Sequence, residues 1–463
     1  MNIYCDFLKK YQRKTVQRTL RHFKGCSLLA LDMGLGKSII ALSMIQELDK
    51  KALVICPASL KYNWLAEIEK FWPEKKPYIC SGQKPPRTVF TKFDIFICNY
   101  EILQYWWKYF VSCGVKILVA DESHFLKEKS AKRTKAALAL SNTCEHRILL
   151  TGTPIENKPI ELWSQLAVIN KNYFPSWLLF AKRFNGAIKN NYGWQMTRAT
   201  NTKELNKFLT EKCMIRLKKE DVLKELPPIV RQVVPVEIDN RTEYKKAEDD
   251  IISWIRQNNK NNLNLEKTRK AEAQVKLDKL KLISAKGKMK QVVDWVNENS
   301  PNFKIVLFCY HREILHELHA RIKNHVFVPS EVKGIDRQNA VKKFQQDEDC
   351  RVFLTTIRVG NAGFTLTASN TTVFVQQDWN ASKHRQAEAR VHRIGQEADS
   401  VNAVYFVARD TVEEKIIRLI DTKDIDSTAV IDGKEVEENT LLTDILKSLK
   451  EKEVKNGRTT KCK

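Results

Sequence analysis

Residues 27–38 read SLLALDMGLGKS: an apolar run of strand type, a turn holding Gly34, Leu35 and Gly36, then Lys37 and Ser38 opening a stretch with helical spacing. Glycines let backbone N–H groups close around an anion, and the helix N-terminus adds its dipole. In the pattern G-x-x-x-x-G-K-[ST] the lysine bridges nucleotide β- and γ-phosphates and the hydroxyl ligates Mg²⁺. Leu31 occupies the place of the first glycine, so the match is imperfect. A glycine turn ahead of any helix would look similar.

Outward from this turn the same alternation recurs. ALVICP, FDIFICNY, KILVADE and HRILLTG are β-rich runs separated by helical text, and from Lys304 a second set follows: KIVLFCY, RVFLTT, TTVFVQQ and SVNAVYFVA. The pattern predicts an α/β chain with two sets of parallel strands, ligand groups gathering at the strands' C-terminal ends. The interval 166–290 reads as helical protrusions and linker, broken at Pro227-Pro228. Its lysine-rich stretch, RTEYKKAEDD through KLKLISAKGKMK, reads equally as a solvated helical hairpin or a DNA contact. The expected division is a first lobe over 1–165, this interval, a second lobe over 291–430, and an amphipathic helix (LLTDILKSLKEKE) with a basic tail over 431–463.

Two further stretches bear chemistry. ILVADESH is a strand ending in carboxylates: Asp121 is placed to hold Mg²⁺, Glu122 to orient and deprotonate an attacking water, and His124 to relay nucleotide state. Thr151-Gly152-Thr153-Pro154, after another apolar strand, offers two hydroxyls near the same crevice. QAEARVHRIGQ (386–396) sets Arg390 and Arg393 three residues apart, which predicts two guanidiniums projecting from one side of a helix. Arginine suits a bidentate grip on phosphate. A nucleotide held by the glycine turn and completed by these arginines would lie between two lobes and move them on hydrolysis.

Bulk properties agree. The 463 residues carry 79 basic and 55 acidic side chains, a formal net charge of +24, which argues for a polyanionic partner, nucleic acid first. Eleven cysteines without a C-x-x-C pair point away from a disulfide framework and from structural zinc. Cys56, Cys98 and Cys309, in strand-like runs, read as small buried hydrophobes. No apolar run approaches the ~20 residues that span a bilayer, and no signal peptide opens the chain, so a reducing, aqueous compartment and no membrane partner are expected. Trp64 and Trp106-Trp107 read as lobe packing rather than platforms for bases.

The ordered set DMGLGKS, VADESHFLK, LLTGTPIENKPIELW, TIRVGNAGFTLTAS, QQDWN and QAEARVHRIGQ resembles the Swi/Snf-type ATPases of helicase superfamily two. The resemblance runs from about Tyr11 to Ile420, and FPSWLLFAKRF, YGWQ and MIRLKKEDVLKELPP are most similar to the annealing-helicase (HepA-related) subgroup. It implies two RecA-like parallel-sheet lobes with helical insertions between them, and a helicase-like ATP hydrolase. Gln12 would contact adenine. Gly34, Leu35, Gly36, Lys37, Ser38, Asp121 and Gly363 would bind ATP, with Ser38 and Asp121 on Mg²⁺. Glu122 would be catalytic, with Gln386, Arg390 and Arg393 completing the site, the arginines stabilising transition-state charge. Ser59, Thr367 and Trp379 would meet DNA, and Gly360 lies in the segment that couples DNA to nucleotide. Departures are Leu31 at a usual Asp, Asp32 at the commoner Glu, Asn361 at a usual Gly, and VPSEVKGIDR, shorter than the family's I-D-G-S-T-x-x-x-x-R loop.

The function expected is a DNA-stimulated ATPase that translocates along or remodels duplex or forked DNA in replication, repair or recombination, mainly through backbone contacts. Replication or repair proteins are further candidate partners. The alternatives are an ATP-driven remodeller of a DNA-bound protein complex and a non-catalytic DNA-binding scaffold. The expected setting is the cytoplasm of a bacterial or virus-infected cell, or the nucleus of a eukaryotic one.

Overall fold

The computed structural model describes residues 7–90, 92–156, 158–190, 193–196, 199–258, 267–360, 363–418 and 431. The chain divides into two compact units, the first running to Leu226 and the second starting at Pro227.

The first unit contains β1 (Cys26–Leu31), β2 (Ala52–Cys56), β3 (Pro77–Ile79), β4 (Ile95–Asn99), β5 (Ile117–Asp121), β6 (His146–Thr151), a hairpin of β7 (Ile188–Asn190) and β8 (Gly193–Gln195), and β9 (Met214–Leu217). Apart from the hairpin these form one sheet in the order β3-β4-β2-β5-β6-β1-β9. Every pairing in it is parallel. Helices cover both faces, so the strands are nearly continuous apolar runs. Alternate residues divide accordingly: Leu28, Ala30, Leu53 and Ile55 pack with Trp106, Phe110 and Leu166. Leu29, Leu31, Val54 and Cys56 pack with Ile40, Met44, Trp64 and Ile68.

The second unit contains β10 (Ile229–Val236), β11 (Ile305–Cys309), β12 (His325–Val328), β13 (Val352–Thr356), β14 (Thr371–Phe374) and β15 (Val401–Ala408), ordered β10-β15-β14-β11-β13-β12. These pairings are parallel as well. Two parallel-sheet α/β units are therefore what the alternation of the sequence builds. Cys56, Cys98 and Cys309 are buried, as their apolar settings suggested.

The interval 166–290 differs from its helical reading. It supplies the hairpin and one of the two edge strands of each sheet, β9 and β10. A four-residue edge strand shows too little period to read, and the prolines at 227, 228 and 235 mark the other as a break. The lysine-rich stretch does form a helical pair, Arg241–Asn258 and Lys267–Gly287. Its apolar stripe, including Tyr244, Leu277 and Leu280, is buried against Ala408, Val412 and Ile416, so it is not a purely solvated hairpin. The expected helix LLTDILKSLKEKE lies outside the described residues.

A buried ion pair fixes this packing. Lys288 follows Gly287, where any Cβ would lie 1.9 Å from Asn240 Oδ1. Its side chain is 0% exposed and that of Glu413 is 1%; the ammonium donates to Glu413 Oε2 at 2.5 Å and to the Phe406 carbonyl at 2.7 Å. Glu413 also accepts from Ser284 Oγ and the Ala408 N–H. Breaking such a pair strands a buried charge. Lys288→Ala should destabilise the second unit by about 3–5 kcal/mol, read as a lower denaturant midpoint in equilibrium unfolding. A midpoint equal to wild type would show that the pair is not structural.

Candidate active site

At the C-terminal rim of the first sheet the chain leaves β1 and turns through Gly34 and Gly36 (φ 85° and 76°) into the helix Lys37–Leu48. Only glycine holds these left-handed conformations without strain, and they turn successive N–H groups inward. Lys37 Nζ donates to the carbonyls of Leu31 (2.9 Å) and Asp32 (3.3 Å), and half-buried Ser38 sits in the helix's first turn. The outside of the loop is pinned by the helix Lys10–Arg21: buried Gln12 donates through Nε2 to the Leu35 carbonyl at 3.1 Å, and Tyr11 Oη donates to the same carbonyl at 3.1 Å. A Cβ on Gly36 would come within 2.4 Å of Gln12 Nε2, so the loop and Gln12 are fitted to one another.

Asp121 closes β5 on the same rim. Its carboxylate is buried and accepts from Trp64 Nε1 (3.0 Å) and the Glu122 N–H (3.0 Å), while Tyr100 Oη donates to its carbonyl at 2.7 Å. Burial, and after it the neighbouring Glu122, push this carboxyl from 3.8 up to about 6; Trp64 and Lys37 pull the other way. Glu122 has φ 52°, a strained backbone for glutamate that turns the chain sharply off the strand. Its Oε2 is buried, 3.4 Å from His124 Nδ1, and finds no hydrogen-bond partner among the described residues. His124 Nδ1 also lies 3.4 Å from Thr151 Oγ1 at the end of β6, where that hydroxyl accepts from the Thr153 N–H. Ser123 donates to Gln165 Oε1, and Gln165 Nε2 to the Pro154 carbonyl, so the acidic turn and the Thr-Gly-Thr-Pro turn are braced together. Glycine N–H groups, a lysine, a hydroxyl, an acid pair and an unsatisfied carboxylate oxygen make a donor set that fits a nucleotide with its Mg²⁺.

In the second unit the helix Ala381–Glu388 carries buried Gln386 but stops before the arginines. Arg390 and Arg393 therefore stand on turns, which corrects the shared helix face that their spacing predicted. Beyond the helix end the Arg390 carbonyl accepts from the Leu366 N–H, and Gly395 turns left-handed at φ 92°. Arg393 donates to the Phe364 carbonyl (3.1 Å) and Thr365 Oγ1 (2.9 Å), which ties this turn to the segment holding Gly363, itself at φ 86°. Gly360 ends a short helix against the Phe308 ring. Thr367 Oγ1 accepts from Gln345 Nε2 at 3.3 Å. Trp379 donates its indole N–H to Asp278 Oδ1 at 2.8 Å, and buried Lys281 lies 4.6 Å from its ring. Ser59 lies half-exposed on the turn Ala58–Leu60 after β2. Asn157 and Asn361 lie outside the described residues.

Trp64 is in the core, as expected of a packing residue, and yet holds Asp121; its sequence context gives no sign of the second role. Tyr100 and Gln165 were equally silent, since Tyr100 acts through Asp121 and Gln165 through Ser123 and Pro154, all distant in the chain.

Residues 11–294 match the SNF2-related domain and residues 287–395 the helicase conserved C-terminal domain. The chain is similar to the SWI/SNF-related matrix-associated actin-dependent regulator of chromatin subfamily A-like protein 1 of Xenopus tropicalis, 30% identical over 426 residues covering 90% of this chain and 44% of that protein. It is also similar to the human DNA annealing helicase and endonuclease ZRANB3, 29% identical over 427 residues covering 89% and 39%. The chain thus spans less than half the length of these relatives. Among solved structures it is similar to the Sulfolobus solfataricus SWI2/SNF2 ATPase core in complex with dsDNA, at 25% identity and TM-score 0.43, covering 92% of this chain and 94% of that one. The two animal relatives lend no support to a bacterial or viral source. Among the described residues, no helix is long and apolar enough to cross a membrane.

A carboxyl ligates a cation only when ionised, so with Asp121 in the role its motif implies, affinity for Mg–ATP should fall as pH drops through about 6. Trp64→Phe keeps a packed ring but removes the N–H that favours the carboxylate, and should move this midpoint upward in binding titrations. A midpoint unmoved by the substitution would detach Trp64 from the site.

Proposed function

The chain belongs to the SNF2-related family of helicase-like ATPases, and on that premise we propose that its ATP hydrolysis is stimulated by DNA and drives translocation along, or remodelling of, duplex or forked DNA. The observation that carries the reading is the contact chain from Glu122 through His124 to Thr151, which joins a carboxylate suited to activating water to the end of the neighbouring strand. Such a link gives the state of the nucleotide a route into the fold.

The roles follow from chemistry. Gln12 recognises adenine while it holds the loop. Gly34, Leu35 and Gly36 offer N–H groups to phosphate oxygens, and Lys37 exchanges the carbonyls of Leu31 and Asp32 for phosphate charge. Ser38 and Asp121 are the residues that would hold Mg²⁺, which when bound draws charge from the phosphates. Glu122 orients and deprotonates the attacking water. Arg390 and Arg393 would stabilise the charge that develops in phosphoryl transfer, Gln386 would complete the site with a neutral amide, and Gly363 belongs to the nucleotide-binding set. Ser59, Thr367 and Trp379 are assigned to the DNA side, where a net charge of +24 favours phosphate contacts over base reading. Replication and repair intermediates are the substrates this engine suits.

Steady-state ATP hydrolysis without nucleic acid, then with single-stranded, duplex and forked DNA, tests the proposal. Duplex or forked DNA should raise turnover, and Lys37→Ala should abolish it. Lack of stimulation by any DNA would overturn the translocase reading and favour a remodeller that answers to a protein–DNA complex. Glu122→Gln should retain ATP binding while losing about 10²–10⁴-fold in kcat, and Arg393→Ala should behave nearly alike. Full turnover in either variant would remove that residue from its role. The DNA affinity should fall linearly in log–log plots against salt, as counterion release requires.

A further inference from the structure

Residues 214–236 carry the chain out of the first unit and into the second, and they are anchored in each to a part of the ATPase apparatus. In the first unit β9 borders β1, and Arg216 Nη1 donates to Asp32 Oδ1 at 2.8 Å and to the Ala30 carbonyl at 3.0 Å. The Lys219 N–H donates to Asp32 Oδ2 at 3.1 Å, and the Asp32 N–H to the Leu217 carbonyl at 3.0 Å. Asp32 is the residue from which the phosphate loop departs.

In the second unit β10 pairs with β15, and Arg231 grips Glu388 in a two-pronged contact, Nε to Oε1 at 2.8 Å and Nη2 to Oε2 at 2.7 Å. Tyr405 Oη donates to Glu388 Oε1 at 2.9 Å. His392 Nε2 lies 2.9 Å from the Pro227 carbonyl. Glu388 is the last residue of its helix, and its carbonyl accepts from the N–H groups of Val391 and His392. It stands where the helix gives way to the arginine turn.

We propose that residues 214–236 act as a strap that couples the phosphate loop to the arginine turn, and that Glu388 is the positioning residue through which the strap sets Arg390 and Arg393. The inference rests on the reading of loop and turn as parts of one ATPase. Stability alone does not call for this pair. β10 is already paired with β15 along its whole length, and a buried ion pair brings little stabilisation that an apolar residue of similar volume would not. What an arginine fork adds is fixed direction. The Glu388 side chain is 3% exposed and that of Arg231 is 51%, so the arginine can be removed without opening the core.

The test is ATP turnover by the full chain with duplex DNA, comparing wild type, Arg231→Ala, Arg231→Lys and Glu388→Gln, with KM for ATP and melting temperature measured alongside. Arg231→Ala should lower kcat about tenfold, as misplaced catalytic groups do, with KM at the wild-type value and the melting temperature lowered because the Glu388 carboxylate is left without its cation. Arg231→Lys, which keeps one charged bond, should recover part of the loss. Glu388→Gln keeps an acceptor for Tyr405 but weakens the fork, and should reproduce the kcat defect. Wild-type kcat in both Arg231→Ala and Glu388→Gln overturns the strap. So does a kcat loss that appears in Glu388→Gln only with a fall in melting temperature and that lysine at 231 does not rescue, which would mark a plain structural staple. Lys37→Ala separates the two failures: turnover that persists in it removes the ATPase reading, and this inference with it.

Discussion

A carboxylate taken out of water at the end of β5 constrains much of the first unit's rim. Asp121 sits at the tip of an apolar central strand, so its charge has to be met by donors that the fold brings to it. Trp64 supplies one from the helix that covers that face, and the Glu122 N–H supplies the other. To bring that N–H round, the backbone at Glu122 enters the left-handed region, a strain of order 1–3 kcal/mol in a residue with a branched-off side chain. The same turn swings the Glu122 carboxylate toward His124, and so toward Thr151. Burial leaves the Asp121 carboxyl near 6, poised so that a cation or the Lys37 ammonium strongly favours its ionised form.

The second unit handles buried charge differently, by pairing it within the protein. Glu413 meets Lys288 and Glu388 meets Arg231. Lys281 is the intermediate case: its side chain is buried, with Nζ 3.4 Å from the Tyr310 ring centroid and 4.6 Å from that of Trp379, and desolvation lowers it to about 8 despite Asp278 nearby. Aromatic faces replace water for an ammonium only in part. Trp379 is thereby held by its ring and by its N–H together, so motion of the helix Lys267–Gly287 reaches it directly.

The sequence revealed what is local. The glycine turn, the acid pair and the strand–helix alternation are each read within a dozen residues, because turn chemistry and hydrophobic period are local properties. The misread features depend on partners far along the chain. Asp32 is separated from Arg216 by 184 residues and Glu388 from Arg231 by 157. The helix stops at Glu388, and the turn beyond it is held by the Leu366 N–H on the Arg390 carbonyl, a contact no helical period announces. The edge strands β9 and β10 were hidden for a related reason: they are short or proline-marked, and their strand character comes from the neighbour they pair with.

The two anchors of residues 214–236 are unequal. The Asp32 and Arg216 side chains are 31% and 18% exposed, so water screens their pairing in part. Glu388, at 3%, lies in a setting where charge and geometry are felt strongly. Pro227 and Pro228 each fix φ and restrict the residue before them, which narrows the paths the chain can take from β9 to β10. Coupling through a segment anchored at both ends is reciprocal. Under the proposed strap, movement of the phosphate loop would be felt at the arginine turn, and a ligand that orders the arginine turn would bias the loop in return.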